Sequence, residues 1–298
     1  MSRRIIVVAA ALAVGAGGVL ASGQRTSRDR HIYVSVTDRD GAPVADLRAA
    51  DFTVREDKAT REVLKVEPAT DPMQIELLVD DSQAIQFMET DVRKGLTVFV
   101  TDALAKHDGT EIALTTFGER STAVVPFMTT APPLIRGIDL IFGRPGSGAY
   151  FLLAISDACK EFKKKNAARP VIVAFVNENG PEFTTLSSQK ITDYIKGAGA
   201  SLWAVVQQAD LSRGVSNEFE NRNRSDILDK TTTDSGGRRE IILGQSGIGP
   251  ALKQIAGWLT HEYRVTYSRP ESLIPPEHLD VTVTRPGVKV AATTWAGQ

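Results

Sequence analysis

Cysteine is nearly absent from this sequence. Cys159 stands alone among 298 residues, so the chain closes no internal disulfide. Histidine is almost as scarce: His31, His107, His261 and His278 are scattered without ligand spacing, which argues against a zinc centre. No Ser/His/Asp or Cys/His set emerges that would support a nucleophilic triad. Neither sign of charge prevails. With 35 basic and 36 acidic side chains and a net charge of −1, there is no basic excess to neutralise phosphates, and nucleic acid is not an expected partner. A repeat at a solenoid period is also missing. What remains is an ordinary globular balance, 42% apolar and 24% charged, enough for a sizeable core.

A long apolar run occurs once, at the start. MSRR supplies a positive n-region, IIVVAAALAVGAGGVL (5–20) an apolar stretch, and ASG (21–23) small residues. This order predicts a signal peptide over 1–23 and an exported protein, periplasmic or secreted. The alternative is an uncleaved membrane anchor, for which the stretch falls short of the roughly 18–20 apolar residues a spanning helix needs.

Beyond it, HIYVSVT (31–37), DFTVRE (51–56) and TREVLKVE (60–67) read as strands, separated by the turn-forming DRDGAPV and EDKA. From Pro72 the pattern changes. QIELLV (74–79), EIALTTF (111–117), PVIVAFV (170–176) and SLWAVV (201–206) are near-continuous apolar runs. Helical periods lie between them, as in Met88, Val92, Leu96, Phe99 and Ala103, or Phe151, Ile155, Cys159 and Phe162. Cys159 is therefore expected as a buried thiol. Buried strands alternating with amphipathic helices predict a doubly wound, mostly parallel α/β domain over 71–261, helices on both faces. STAVVPF (121–127), a short turn after EIALTTF, is the expected antiparallel edge strand. The β patterns return in YRVTYS, HLDVTVTRP and VKVAATTW. Segments 31–70 and 262–298 are expected to form one β-sandwich built from both chain ends, two unrelated hairpins being the alternative.

Ligands of open α/β sheets bind outside the carboxyl ends of the strands. LLVDDS places Asp80, Asp81 and Ser82 there, a carboxylate and a hydroxyl on one tight turn, suited to a hard cation. The Asp-x-Ser turn resembles the start of the metal-ion-dependent adhesion site of von Willebrand factor type A domains. The flanks, VSVTDRDGAPVADLRAADFTVRED before it and SGGRRE, ALKQIAGWLTHEYRVTYSRP and VTVTRPGVKVAA after it, resemble the related proteins abundant in acidobacteria. The resemblance spans nearly the whole chain beyond residue 23. It implies a binding scaffold whose magnesium ion is completed by a partner's carboxylate.

The family's ligand set is incomplete in this chain. Asp80 and Ser82 match, but the second serine falls on Ala84, the threonine on Ala149 and the later aspartate on Asn177. Methyl groups cannot coordinate, and magnesium requires near-octahedral oxygen. The resemblance thus implies a degenerate site, with no cofactor or magnesium bound weakly by Asp80 and Ser82. Asp81 and Glu178 flank the pocket and are expected to point elsewhere. Asp80, Asp81, Ser82, Asn177 and Glu178 are the expected residues of a protein-binding face. The competing function is a magnesium-dependent phosphoryl-transfer or hydrolytic enzyme using Asp80 and Asp81. It needs a further Asp and a Lys at neighbouring strand ends, where the sequence has Asn177 and Gln207-Gln208.

Three other signals read as structural. GRPGSGAY lacks the Lys-Ser/Thr of a phosphate loop and is expected to pack against the Asp80 turn. KKK (163–165) suits the negative end of a helix dipole. The polar stretch 212–226 has no helical period and reads either as a partner-binding loop or as a surface excursion.

Overall fold

In a computed structural model, which describes residues 27–208, 218–270, 274 and 276–296, the chain begins with four strands: β1 (Ser27–Thr37), β2 (Phe52–Glu56), β3 (Ala59–Arg61) and β4 (Val63–Pro68). Asp57 and Lys58 join β2 to β3 with φ of 46° and 73°. Two consecutive positive φ values match the right-handed twist of a tight hairpin. The run 60–67, expected as one strand, is two. Between them the Glu62 carbonyl accepts from Ser268 N–H at 2.9 Å, and the partner strand bulges at Thr266/Tyr267. The chain thereby bends out of one sheet into another.

The central part runs β5 (Gln74–Val79), α1 (Glu89–Lys106), β6 (Glu111–Thr116), β7 (Thr122–Met128), α2 (Ala131–Ile138), α3 (Phe151–Lys165), β8 (Pro170–Asn177), α4 (Ser188–Ala198) and β9 (Ser201–Gln207). Then follow α5 (Glu218–Asp226), a π-helical turn (Ile227–Thr231), α6 (Thr232–Asp234), β10 (Arg239–Ile242) and α7 (Ile248–Leu259). The strands form a six-stranded sheet in the order β10-β9-β8-β5-β6-β7, parallel except for β7. Helices cover both faces, which is why β5 and β8 are buried almost throughout and mostly apolar, Glu76 being the buried exception within β5. On one face Ile75, Leu77 and Val79 meet Leu96 and Phe99 of α1 and Leu252 of α7. On the other, Leu78 and Ile172 meet Ile155, Cys159 and Phe162 of α3 and Ile191 of α4.

The edge strand β7 and the buried Cys159 are as expected. The polar stretch differs from expectation: 218–226 is helix, while 212–217 lies outside the described residues. The stripe that α5 and the following turn bury runs through Asn221, Arg224 and Leu228, two polar residues and one apolar. A hydrophobic period has nothing to register in such a stripe. Strand β10 has no counterpart among the expected strands, being four residues long with a polar start.

The chain ends with β11 (Tyr263–Pro270), β12 (Leu279–Val283) and β13 (Lys289–Ala292). These pair with the first strands in two antiparallel sheets, β13-β1-β11-β4 and β12-β2-β3. Val34, Phe52, Val54, Val265, Tyr267 and Leu279 share one core, so both chain ends build a single sandwich. Its join to the α/β sheet includes a buried Arg169–Glu262 pair at 2.5 Å. Residues 1–23, read as an export signal, lie outside the described residues. No helix among the described residues is long and apolar enough to cross a membrane.

Candidate functional site

Where β5 leaves the sheet, its last apolar residue is followed by three fully buried polar ones, Asp80, Asp81 and Ser82. A buried carboxylate must be hydrogen-bonded, and both are. Asp80 Oδ1 accepts from Ser82 N–H at 2.8 Å, and Oδ2 accepts from Asn177 N–H at 3.1 Å. Burial raises the Asp80 pKa above the ordinary carboxylate value, opposed by the bonds from Ser82 and Asn177 and by the positive charge of Arg224. Ser82 caps the short 3-10 turn Gln83–Ile85, its Oγ accepting from Ala84 N–H at 3.2 Å.

Asp81 faces the other way. It accepts from Gly118 N–H at 2.6 Å and from Arg144 Nε at 2.7 Å, and its carbonyl accepts from Arg144 N–H at 3.0 Å. A Cβ at Gly118 would lie 2.7 Å from the Asp81 carboxylate, so only glycine allows this approach. Asp81 therefore fastens the loop after β6 and the glycine-rich loop to the rim. The Gly146 N–H donating to Gln83 Oε1 at 2.6 Å adds a second fastening. This is the packing expected of GRPGSGAY.

Asn177 ends β8 and bridges back to the Asp80 turn, donating through Nδ2 to the Ala84 carbonyl at 2.8 Å. Its Oδ1 accepts from Asn179 N–H at 3.0 Å and from Asn179 Nδ2 at 2.9 Å. Asp80, Ser82, Ala84 and Asn177 thus converge directly. Ala149 reaches them at one remove: its N–H donates to the Pro181 carbonyl at 2.7 Å and its carbonyl accepts from Phe183 N–H at 2.8 Å. Between these lies Glu182, fully buried, accepting from Phe151 N–H at 3.2 Å and Thr184 N–H at 3.1 Å. Its carboxylate meets the positive end of α3, yet burial still pushes its pKa up to about 7.

Magnesium would need several free oxygens aimed at one point. Asn177 turns its nitrogen toward Ala84 and spends its oxygen on Asn179, while Ala84 and Ala149 offer methyls. The Asn177–Gly180 turn also closes on the site: a Cβ at Gly180 would sit 3.1 Å from Ala84 Cβ and 3.4 Å from Ser82 Oγ. Among the described residues no group of three or more His, Cys, Asp or Glu is placed to hold a metal. These residues do not fit a hard divalent cation.

Burial also alters the expected protein-binding set. Asp80, Asp81, Ser82 and Asn177 are buried, and only Glu178 is partly exposed. They form the floor and fastenings of the rim, not its surface. The surface is an open depression of about 840 Å³ whose exposed lining includes Gln83, Phe87, Asn179, Phe183 and Gln245. None of its lining side chains carries a charge. Phe87 is 92% exposed and adopts φ of 73°, a left-handed conformation unusual for an aromatic residue. No residue pattern signals this, because φ is set by the turn between Ile85 and α1, not by Phe87 itself.

One residue missed entirely is Arg224. It is buried on α5 and donates from Nη1 to the Gly180 carbonyl at 2.9 Å and from Nη2 to the Glu178 carbonyl at 3.3 Å.

No protein-family model matches the chain, and no curated protein matches it in sequence. Similar solved structures include a von Willebrand factor type A protein from Catenulispora acidiphila, with TM-score 0.50 and 9% identity over 91% of this chain and 75% of that one. The von Willebrand factor domain of the type V pili tip protein Mfa5 from Porphyromonas gingivalis aligns with TM-score 0.47 and 12% identity, over 63% of this chain and 95% of that one. Proximal thread matrix protein 1 from the mussel byssus gives 0.47 and 15%, over 64% and 48%. The sheet order, the helices on both faces and the first of these likenesses agree: the chain has the fold of a von Willebrand factor type A domain, set beside a β-sandwich made from its two ends.

Proposed function

We propose that the chain is an exported, non-enzymatic protein-interaction module that binds through the carboxyl rim of its sheet without needing a metal. The observation that carries this reading is Phe87. Holding a non-glycine residue at positive φ costs about 1–3 kcal/mol. Phe87 recovers little of that by packing, because 92% of it faces solvent. Strain kept on an exposed aromatic beside an uncharged depression is the pattern of a binding anchor. Asp80, Asp81, Ser82 and Asn177 serve from beneath, and Glu178 stands at the edge.

The enzyme alternative draws no support from the carboxylates. Asp80 binds Ser82 and Asn177 while Asp81 binds Gly118 and Arg144, so the two do not converge on one ion. Export rests on the charge and apolar order of residues 1–23.

The test is to capture partners from the native envelope with the full chain and with Phe87→Gly. Glycine is the residue that the left-handed backbone prefers, so the variant removes the ring and leaves the fold. A partner retained by wild type and lost by Phe87→Gly supports the rim as the binding face. Equal capture by both refutes it.

A further inference from the structure

Besides Asp81, which pairs with Arg144, the rim holds two buried carboxylates: Asp80 after β5, and Glu182 beyond the Asn177–Gly180 turn that closes tightly over Ser82 and Ala84. Uncompensated negative charge in such a place is costly. The side chains here do not fit an added cation that could compensate it. Among the described residues, Arg224 is the positive charge that acts on both carboxylates.

Its position is fixed from two directions. Arg224 Nη1 and Nη2 hold the carbonyls of Gly180 and Glu178, which belong to the turn that leaves β8. Its helix is held in turn, since Asn221 Oδ1 accepts from Glu182 N–H at 2.9 Å and Asn223 Oδ1 accepts from Ser188 N–H at 3.1 Å. Arg224 is 2% exposed, and its Nε is buried without a hydrogen-bond partner among the described residues. An arginine kept there with one donor unused is explained by its charge as well as by its hydrogen bonds.

We propose that Arg224 is an internal cation: it draws the Asn177–Gly180 turn onto the Asp80 turn and balances Asp80 and Glu182, so that the rim is set without a metal ion. Arg224 is thus a positioning residue for the binding face, and this inference rests on the rim reading only for its functional meaning. It also accounts for why Asn177 can be neutral. A carboxylate at position 177 would be a third negative group set against one guanidinium.

The experiment is thermal unfolding of the full chain as wild type, Arg224→Lys and Arg224→Met, each in chelator and in millimolar magnesium chloride. Wild type is expected to melt within about 1 °C in the two buffers, because ligand binding to the folded state would raise Tm. Arg224→Met is expected to melt lower by roughly 4 °C or more in both buffers, because the methyls of Ala84 and Ala149 and the engaged oxygen of Asn177 leave magnesium no way to replace the guanidinium. Arg224→Lys keeps the charge and should fall between them with little magnesium response. A packing role alone would lower Arg224→Lys as far as Arg224→Met, and that result overturns the proposal. So does a magnesium-stabilised wild type. If Arg224→Met does not fold, a folded Arg224→Lys close to wild type supports the charge role, and an unfolded one refutes it. No partner takes part in these measurements, so their failure is separable from failure of partner capture.

Discussion

Glu76 offers a quantitative check on the fold, because it is a carboxyl inside the apolar sheet. It lies on β5, 5% exposed, on the face covered by α3, with one hydrogen bond, from Thr115 Oγ1 at 2.6 Å. Burial pushes its pKa from 4.5 up to about 7, partly opposed by the Thr115 bond and reinforced by Glu161. The folded protein therefore holds this proton more tightly than the unfolded chain does. The resulting stability is complete below the unfolded value of 4.5 and is lost as pH rises through about 7. The rise from 4.5 to about 7 corresponds to roughly 3 kcal/mol in the fully ionised limit, and to about 2 kcal/mol between about pH 5.5 and pH 8. Glu182 is pushed to about 7 as well and adds a similar slope. His31 and His107, both lowered by burial, oppose it by favouring the fold at higher pH.

The difference between wild type and Glu76→Gln isolates the one residue. Glutamine keeps an acceptor for Thr115 and has no proton to lose. Urea unfolding should find Glu76→Gln close to wild type near pH 5 and about 2 kcal/mol or more stabler near pH 8. A difference that does not change with pH, or a variant less stable near pH 8, would refute the burial of an ionisable Glu76 under α3.

Phe87→Gly should be at least as stable as wild type, gaining up to about 1 kcal/mol in urea unfolding, since glycine relieves the positive φ and little packing is lost. A clear loss of stability would mean the ring packs in solution. Cys159 is 1% exposed and its thiol is pushed up to about 12, so a thiol reagent should label it only on global unfolding. Labelling at the same rate in native buffer and in denaturant would place α3 differently.

Much of this architecture is written in residue patterns. The apolar runs of β5 and β8 exist because both faces of a parallel sheet are covered, and β11 alternates because one face of the sandwich is exposed. The position of Asp80 and Asp81 follows from strand polarity alone, and so does that of Asn177. What those residues do there is another matter. Nothing in LLVDDS says that Asp81 turns toward Gly118 and Arg144, residues 37 and 63 positions away in the chain. The α5 helix is invisible to an apolar period because it buries Asn221, Asn223 and Arg224. Their burial depends on partners brought by β8 and α4, which no local window contains. The division of 60–67 into β3 and β4 likewise depends on a bulge in a strand some two hundred residues later.

The rim as a metal-independent binding face is tested most directly by the affinity for a captured partner, measured in chelator and in magnesium for wild type and for Phe87→Gly. Wild type should bind equally in both buffers, within about twofold, and Phe87→Gly should lose roughly tenfold or more in each, as expected for an anchor residue. Binding that collapses in chelator, or that survives the loss of the Phe87 ring undiminished, would contradict it.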